Sequence, residues 1–241
     1  MGDITASDLR ETALALGADF CGVADLAPAQ ELVRELGGEL ATQFPHALSI
    51  GVALPSAIVD QLCRHEDKAV AWAYRSHGYD AINVRLDQLA SRTASILQRA
   101  GHRAFPVAAS QTIDKDRHYG LFSHKLAAHL AGLGWIGKSC LLVTPQVGPR
   151  VRWVTVLTDA PLESGGPLRE RCGSCTECVD ACPVHAFTGR RFREDEPRKA
   201  RFDVSRCYAY QRKDRAYPGS ILCGVCIYVC PHGQRAGGVA K

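Results

Sequence analysis

The chain has 241 residues, 46% of them hydrophobic and 22% charged, with a formal net charge of +4 and eleven cysteines. That length can bury the core of one large domain or two small ones, and no apolar run reaches the roughly 18 uninterrupted residues of a membrane span. A polar start at Gly2, Asp3 and Thr5 argues against a secretory leader, so neither a membrane-spanning protein nor a disulfide-stapled secreted module is expected and a reducing cytoplasmic setting is.

Taken in chain order, Leu9, Ala13 and Leu16 recur at helical spacing behind a cap at Ser7 or Asp8, and Gly17 stops that helix. A short strand is predicted over residues 20–24. A second is predicted over residues 48–54, where Pro55 ends the run and Gly51 marks a close backbone approach. Ile82, Leu86, Leu89, Thr93, Ile96 and Leu97 mark one face of a long helix over residues 80–100. Gly101 is its stop signal, and a strand follows over residues 103–107. Leu126, Leu130 and Leu133 predict a helix over residues 123–133, which runs into Gly134-Trp135-Ile136-Gly137-Lys138. Apolar runs at residues 140–144 and 151–158 flank the turn Pro145-Gln146-Val147-Gly148-Pro149 and are predicted as central strands. Ser164-Gly165-Gly166-Pro167 reads as a linker. The expected organisation is therefore an α/β or α+β module over residues 1–162 and a cysteine-rich module over residues 168–235.

The cysteine-rich module carries the strongest signal. Cys172-x2-Cys175-x2-Cys178-x3-Cys182-Pro183 is the bacterial ferredoxin run, in which the fourth cysteine ligates the other cluster. Cys207-x15-Cys223-x2-Cys226-x3-Cys230-Pro231 repeats its end, with the first cysteine displaced upstream. Crossing over the fourth ligands assigns Cys172, Cys175, Cys178 and Cys230 to one 4Fe-4S cluster, and Cys182, Cys207, Cys223 and Cys226 to another. Zinc prefers paired CxxC units separated by a loop, and a disulfide framework does not suit a chain of this length and compartment. Cys21, Cys63 and Cys140 are left over and are expected as small buried hydrophobes.

From Leu168 to the end, 14 Lys and Arg face 8 Asp and Glu, with a concentration at Arg190, Arg191, Arg193, Arg198, Lys199 and Arg201. Clustered arginine is the footprint of a phosphate-binding surface. The favoured expectation is plainer: these cations balance acidic neighbours and the anionic clusters, or steer a redox partner.

Ahead of the cysteines stands HKLAAHLAGLGWIGKSCLLVTPQVGPRVRWVTVLTDAPL, from His124 to Leu162. With AGLGWIGK at Ala131 through Lys138, Leu157-Thr158-Asp159, the first CP run and the displaced Cys207, the chain resembles epoxyqueuosine reductase. That family is cobalamin-dependent, carries iron–sulfur clusters, performs the last step of queuosine synthesis in tRNA and is related to the reductive dehalogenases. The resemblance implies an α+β fold, with a nitroreductase-like α/β module that binds a corrinoid and a C-terminal double-cluster bacterial ferredoxin-like domain. It would place Gly134, Trp135, Gly137 and Lys138 near the corrinoid; read without it, the same block is a helix C-terminus and tight turn with Trp135 in the core. Two departures stand out. Where the family has its catalytic aspartate, this chain has His118-Tyr119-Gly120-Leu121, with His124 near the place of a family glutamate and Asp114 and Asp116 just upstream. His118 and Asp114 are the candidate proton donors. The family's C-terminal helical-repeat domain, which helps hold tRNA, has no counterpart after Pro231, so tRNA is not expected as a partner.

Three functional readings follow. The leading one is an iron–sulfur oxidoreductase that takes low-potential electrons from a ferredoxin or flavodoxin through two 4Fe-4S clusters to a bound corrinoid (cobalamin) or a small substrate. The alternative is a non-enzymatic electron-transfer or reductive-activation protein that serves a corrinoid protein or another redox partner. The last is epoxyqueuosine reduction in tRNA.

Overall fold

The computed structural model describes residues 4–212 and 222–234; residue 235, the expected end of the cysteine-rich module, lies outside them. In chain order the elements are α1 (Ala6–Ala15), β1 (Phe20–Asp25), α2 (Gln30–Thr42), β2 (His46–Ala53), α3 (Ser56–Val59), α4 (Lys68–Ala73), a π-helical stretch (Tyr74–Asp80), α5 (Ala81–Arg99), β3 (Ala104–Val107), α6 (His124–Leu130), β4 (Trp135–Ile136), β5 (Leu142–Val143) and β6 (Val151–Thr158). The cysteine-rich end adds α7 (Glu177–Asp180), α8 (Val204–Gln211), α9 (Val225–Tyr228) and α10 (Pro231–Gln234). Among the described residues no helix is long and apolar enough to cross a membrane.

The chain forms two compact units. One is drawn from the residues up to Val52, Asn83–Gly134 and Arg152–Leu168. The other combines Ala53–Ile82, Trp135–Val151 and the residues from Arg169 on. The cysteine-rich end therefore folds together with two stretches that precede it by dozens of residues.

The first unit is built on a four-stranded sheet of order β1-β2-β6-β3. β1 runs antiparallel to β2, with Phe20 opposite Gly51, and β3 runs antiparallel to β6, with Val107 opposite Thr155. Leu48, Ile50, Val154, Val156 and Leu157 are completely buried, as continuous apolar runs in inner strands should be. On one side Val33 of α2 and Leu126 and Leu130 of α6 pack with Phe44, Phe122 and Leu157 into a common core. Each such side chain contributes about 1.5–3 kcal/mol of transfer free energy. Gly51 is the close approach that the sequence suggests: a Cβ there would lie 2.5 Å from Cζ3 of Trp153, whose ring also meets Phe20 at 5.6 Å between centroids.

Three expectations are corrected. The first helix is capped by Thr5 rather than Ser7 or Asp8, because Thr5 and Asp8 exchange hydrogen bonds in a capping box. Residues 140–144 are not a central strand. Cys140 adopts a left-handed φ of 55°, and a tight turn joins Cys140 N–H to Gly137 O and Gly137 N–H to Leu141 O, each at 2.9 Å. Only Leu142 and Val143 remain extended, and they pair with Ile136 and Trp135 in a separate two-stranded sheet. Apolarity there reports burial, not membership of the main sheet. The predicted helix over residues 123–133 stops at Leu130, where the chain turns into Gly132 with φ 74°. The α2 helix carries no clear sequence pattern because Gly37-Gly38 interrupts it; Gly38 is non-helical at φ 56°.

His124 locks the start of α6 to the sheet. Its Nε2 lies 3.0 Å from Ala108 O and its Nδ1 lies 2.8 Å from Thr155 Oγ1. A carbonyl only accepts, so Nε2 carries the proton and Nδ1 accepts from the threonine hydroxyl. Desolvation holds the imidazole pKa down to about 4; the Ala108 carbonyl opposes this, Arg152 adds to it and Asp87 opposes it. A folded pKa below the unfolded one means stability is complete above about pH 6.5 and is lost as pH falls toward about 4. The residue retains some exposure, so the loss is at most about 3 kcal/mol. Anaerobic urea titrations of wild type and His124→Gln across that window should show a steeper loss in wild type; equal slopes would contradict this account of the histidine.

Candidate metal centre

The two cysteine runs fold as variations on one local theme. Cys178 lies on α7 and Cys226 on α9, each followed four residues later by the cysteine of a Cys-Pro pair, and the two short helices pack together. Pro231 opens α10 directly after Cys230, a position where the missing N–H costs nothing. The displaced Cys207 arrives on a helix instead of a loop. Asp203 caps α8 by accepting from Arg206 N–H at 3.0 Å, and this presents Cys207 in the first turn.

The thiols gather in two sets. Cys178 is pushed up to about 12 by burial and then by Cys230, Cys172 and Cys175. Cys230 is raised by burial, with Cys172 and Cys175 adding to it. Cys223 is pushed up to about 11 by burial, with Cys207 and Cys182 contributing. Cys226 is raised by burial and then by Cys223, Cys207, Cys178 and Cys182. Cys230 thus feels thiols of the first run, Cys182 acts on thiols of the second, and Cys226 also feels Cys178. None of the eight forms a disulfide. Among the described residues no three His, Cys, Asp or Glu side chains converge on a single-ion site; a four-iron cube does not need that convergence, since each thiolate takes a different corner.

The surroundings suit sulfur-rich clusters. Ala186 N–H donates to Cys182 Sγ and Gln211 Nε2 to Cys207 Sγ, both at 3.3 Å, and such donors tune clusters through their sulfurs. Phe187 and Phe202 stack at 5.0 Å beside Cys182, Cys207 and Cys226, forming an apolar wall. At the first set, the Lys138 backbone N–H and the Trp135 indole both lower the Cys172 thiol against the dominant effect of burial. The Trp135 Nε1 is nevertheless buried without a hydrogen bond of ordinary geometry. A Cβ on Gly137 would meet Val143 Cγ2 at 2.9 Å and Cys172 Sγ at 3.4 Å, which explains a glycine against this cysteine. The donor set and the orphaned indole N–H fit a 4Fe-4S group.

The block expected near a corrinoid divides between the units. Gly134 lies in the sheet-bearing unit, where its carbonyl faces His129 Nδ1 at 3.2 Å. Trp135, Gly137 and Lys138 lie in the cysteine-bearing unit. Trp135 meets His232 edge-on at 4.9 Å, and Lys138 Nζ donates to Gly173 O and Cys175 O, both at 2.9 Å. The partners of Trp135 and Lys138 are about 35 to 100 residues away in sequence, so no local pattern could reveal them. Of the candidate acids, Asp114 caps a small hairpin: its Oδ1 accepts from Asp116 N–H at 3.0 Å and Arg117 N–H at 2.8 Å. His118 sits on the same hairpin at φ 52°. Of the surplus cysteines, Cys21 and Cys140 are buried as expected, whereas Cys63 is exposed on a short 3-10 turn.

The arginine concentration is largely paired with nearby acids. Arg190 meets Glu196 at 2.6 Å, Arg193 takes Asp195 with two bonds of 2.8 and 3.0 Å, and Arg191 lies 3.5 Å from Glu170. Arg201 is buried over the Phe192 ring at 4.6 Å.

Residues 171–233 match the 4Fe-4S double cluster binding domain family. The chain is 27% identical over 259 aligned positions to an epoxyqueuosine reductase of Leadbetterella byssophila, covering 94% of this chain and 79% of that one. It spans about half the length of several other curated epoxyqueuosine reductases, including 47% of the Bacillus anthracis protein. Among solved structures, a catabolic reductive dehalogenase superposes with a TM-score of 0.69 at 20% identity, covering 94% of this chain and 31% of that chain. An epoxyqueuosine reductase in complex with a tRNA stem loop gives 0.59 at 20% identity, covering 95% and 65%. The fold is therefore the mixed α/β fold of these reductases.

The grouping of thiols makes one substitution diagnostic. Cys182→Ala should abolish the cluster that involves Cys207, Cys223 and Cys226 and spare the other, although Cys182 belongs to the first run. Iron content and the electron paramagnetic resonance of the reduced protein report this; loss of the cluster that involves Cys172, Cys175 and Cys178 would overturn the crossover.

Proposed function

We propose that this chain, similar in sequence to epoxyqueuosine reductases and carrying a double-cluster domain, is an iron–sulfur oxidoreductase. Two 4Fe-4S clusters, one on Cys172, Cys175, Cys178 and Cys230 and one on Cys182, Cys207, Cys223 and Cys226, would take single electrons from a ferredoxin or flavodoxin and deliver them to a corrinoid or small substrate. The observation that carries this reading is the match of residues 171–233, which contain all eight cysteines, to a 4Fe-4S double cluster binding domain. The nitroreductase-like character of residues 1–162 and their use as a corrinoid-binding module, with residues 168–235 as the electron-delivering module, belong to the same proposal. A bound corrinoid would supply a reducible cobalt for attack on an electrophilic carbon or leaving group. Protein side chains would then position the substrate and supply the proton.

A second reading has its own support. Asp114 accepts two backbone N–H groups, and His124, beside the place of the family's acidic residues, has both ring nitrogens engaged and a pKa of about 4. Both are tied into the fold by hydrogen bonds, which leaves His118 as the other candidate donor. An electron-transfer or reductive-activation protein needs no such donor. Reduction of epoxyqueuosine in tRNA is favoured by the names of the relatives, while the pairing of Arg190, Arg191 and Arg193 with carboxylates reduces the positive charge available to phosphates.

Anaerobic titration of the cluster-loaded protein with cobalamin separates the first two. Binding at micromolar cobalamin with a change in the cobalt spectrum is the expected result for the oxidoreductase; two intact clusters without cobalamin binding would leave the electron-transfer reading.

A further inference from the structure

Lys138 is a buried lysine with an unusual set of partners. The residue is 8% exposed. Its ammonium donates to Gly173 O and Cys175 O, both at 2.9 Å, and no carboxylate pairs with it among the described residues. An ammonium has three N–H donors, so the chain's own acceptors account for two. Removing a charge from water without an opposite charge costs several kcal/mol, and two neutral carbonyls offset that only in part. An anionic group at the site would supply the missing balance. The carbonyls belong to the Cys172–Cys175 loop, and the backbone N–H of the same lysine acts on Cys172 itself. The residue thus grips the first cysteine loop from both its backbone and its side chain.

Two more cations stand around this set. Arg171 lies over the Trp135 ring at 5.7 Å. Arg150, its side chain 5% exposed, pairs with Asp60 at 2.7 Å, and its Nε is left without an acceptor close to Gly233. The opposing charge is Glu170, which accepts from Cys172 N–H and faces Arg191 at 3.5 Å. Arg150 and Glu170 thus each have a counter-charge within the protein. Among the described residues Lys138 has none.

We infer that Lys138 is a positioning residue for the cluster on Cys172, Cys175, Cys178 and Cys230, and that its charge selectively raises that cluster's reduction potential. The inference rests on the two-cluster reading above. Four thiolates outweigh the charge of the iron–sulfide core, so the oxidised cluster is an anion, and reduction adds one electron with no bond formed or broken. A fixed cation beside the loop stabilises the reduced form more than the oxidised one, and net charge and hydrogen bonding at sulfur set such potentials. Among the described residues the lysine's side-chain hydrogen bonds go to the first cysteine loop, so the effect is larger on that cluster than on the other.

The test is a redox titration of the full-length, anaerobically reconstituted protein followed by electron paramagnetic resonance, with Lys138→Met, Lys138→Gln and Lys138→Arg beside wild type. The midpoint that vanishes in Cys182→Ala identifies the other cluster. In Lys138→Met and Lys138→Gln the first cluster should become harder to reduce by at least tenfold at a fixed potential, about 59 mV for a one-electron couple. The second midpoint should move clearly less than the first, and Lys138→Arg should restore most of the loss. Selective loss of the first cluster in the uncharged variants, with retention in Lys138→Arg, would equally support the role. Unmoved midpoints with both clusters intact, equal shifts of both, or loss of both clusters in all three variants would overturn it. A wild-type protein that does not assemble two clusters would instead remove the two-cluster reading itself.

Discussion

Eight thiols held close together in a partly desolvated site are the constraint on which the cysteine-bearing unit depends. Burial first, with neighbouring thiols adding to it, pushes Cys178 up to about 12 and Cys223 to about 11, and burial is also the largest cause that raises Cys172, Cys207, Cys226 and Cys230. Such thiols do not ionise unaided near neutral pH; a metal centre replaces their protons and gains the folding free energy that metal-free loops lack. Much of the surrounding architecture follows from this. Short helices α7 and α9 deliver one cysteine each, α8 brings the displaced Cys207, and N–H donors from Ala186, Gln211, Trp135 and Lys138 face sulfur. The unit also reaches back along the chain for Trp135–Val151 and Ala53–Ile82, because four short helices and their loops carry too little apolar surface to bury the cysteines by themselves.

The sheet-bearing unit obeys more ordinary rules. Its inner strands are buried on both faces, its helices pack on them, and His124 ties α6 to β6 through a neutral ring. Where the family to which the chain is similar has an acidic catalytic segment, this chain has a hairpin closed by Asp114 and a histidine fixed by two hydrogen bonds.

Whatever depends on local spacing is legible in the sequence. The ferredoxin run and its Cys-Pro ends follow from steps of three and four residues, and the helical face of Ile82, Leu86 and Leu89 follows from the 3.6 period. Gly51 is readable because a glycine inside an apolar strand marks a place where a neighbouring group leaves no room for a side chain, here the Trp153 ring. The rest depends on tertiary structure. Lys138 reads as a surface or cofactor lysine when only its neighbours in sequence are visible; its carbonyl partners stand 35 and 37 residues further on. Residues 140–144 read as a strand because burial and sheet membership have the same apolar signature, and only the left-handed turn at Cys140 separates the two. The α2 helix is hidden by its own paired glycines.

The central claim is that this chain holds two four-iron cubes with exchanged ligands. Mössbauer spectroscopy of the iron-57-loaded, anaerobically reconstituted protein, combined with iron and acid-labile sulfide analysis, tests it most directly. The account predicts about eight iron and about eight sulfide per chain, all in [4Fe-4S] environments. About four iron per chain, or zinc in their place, would contradict it.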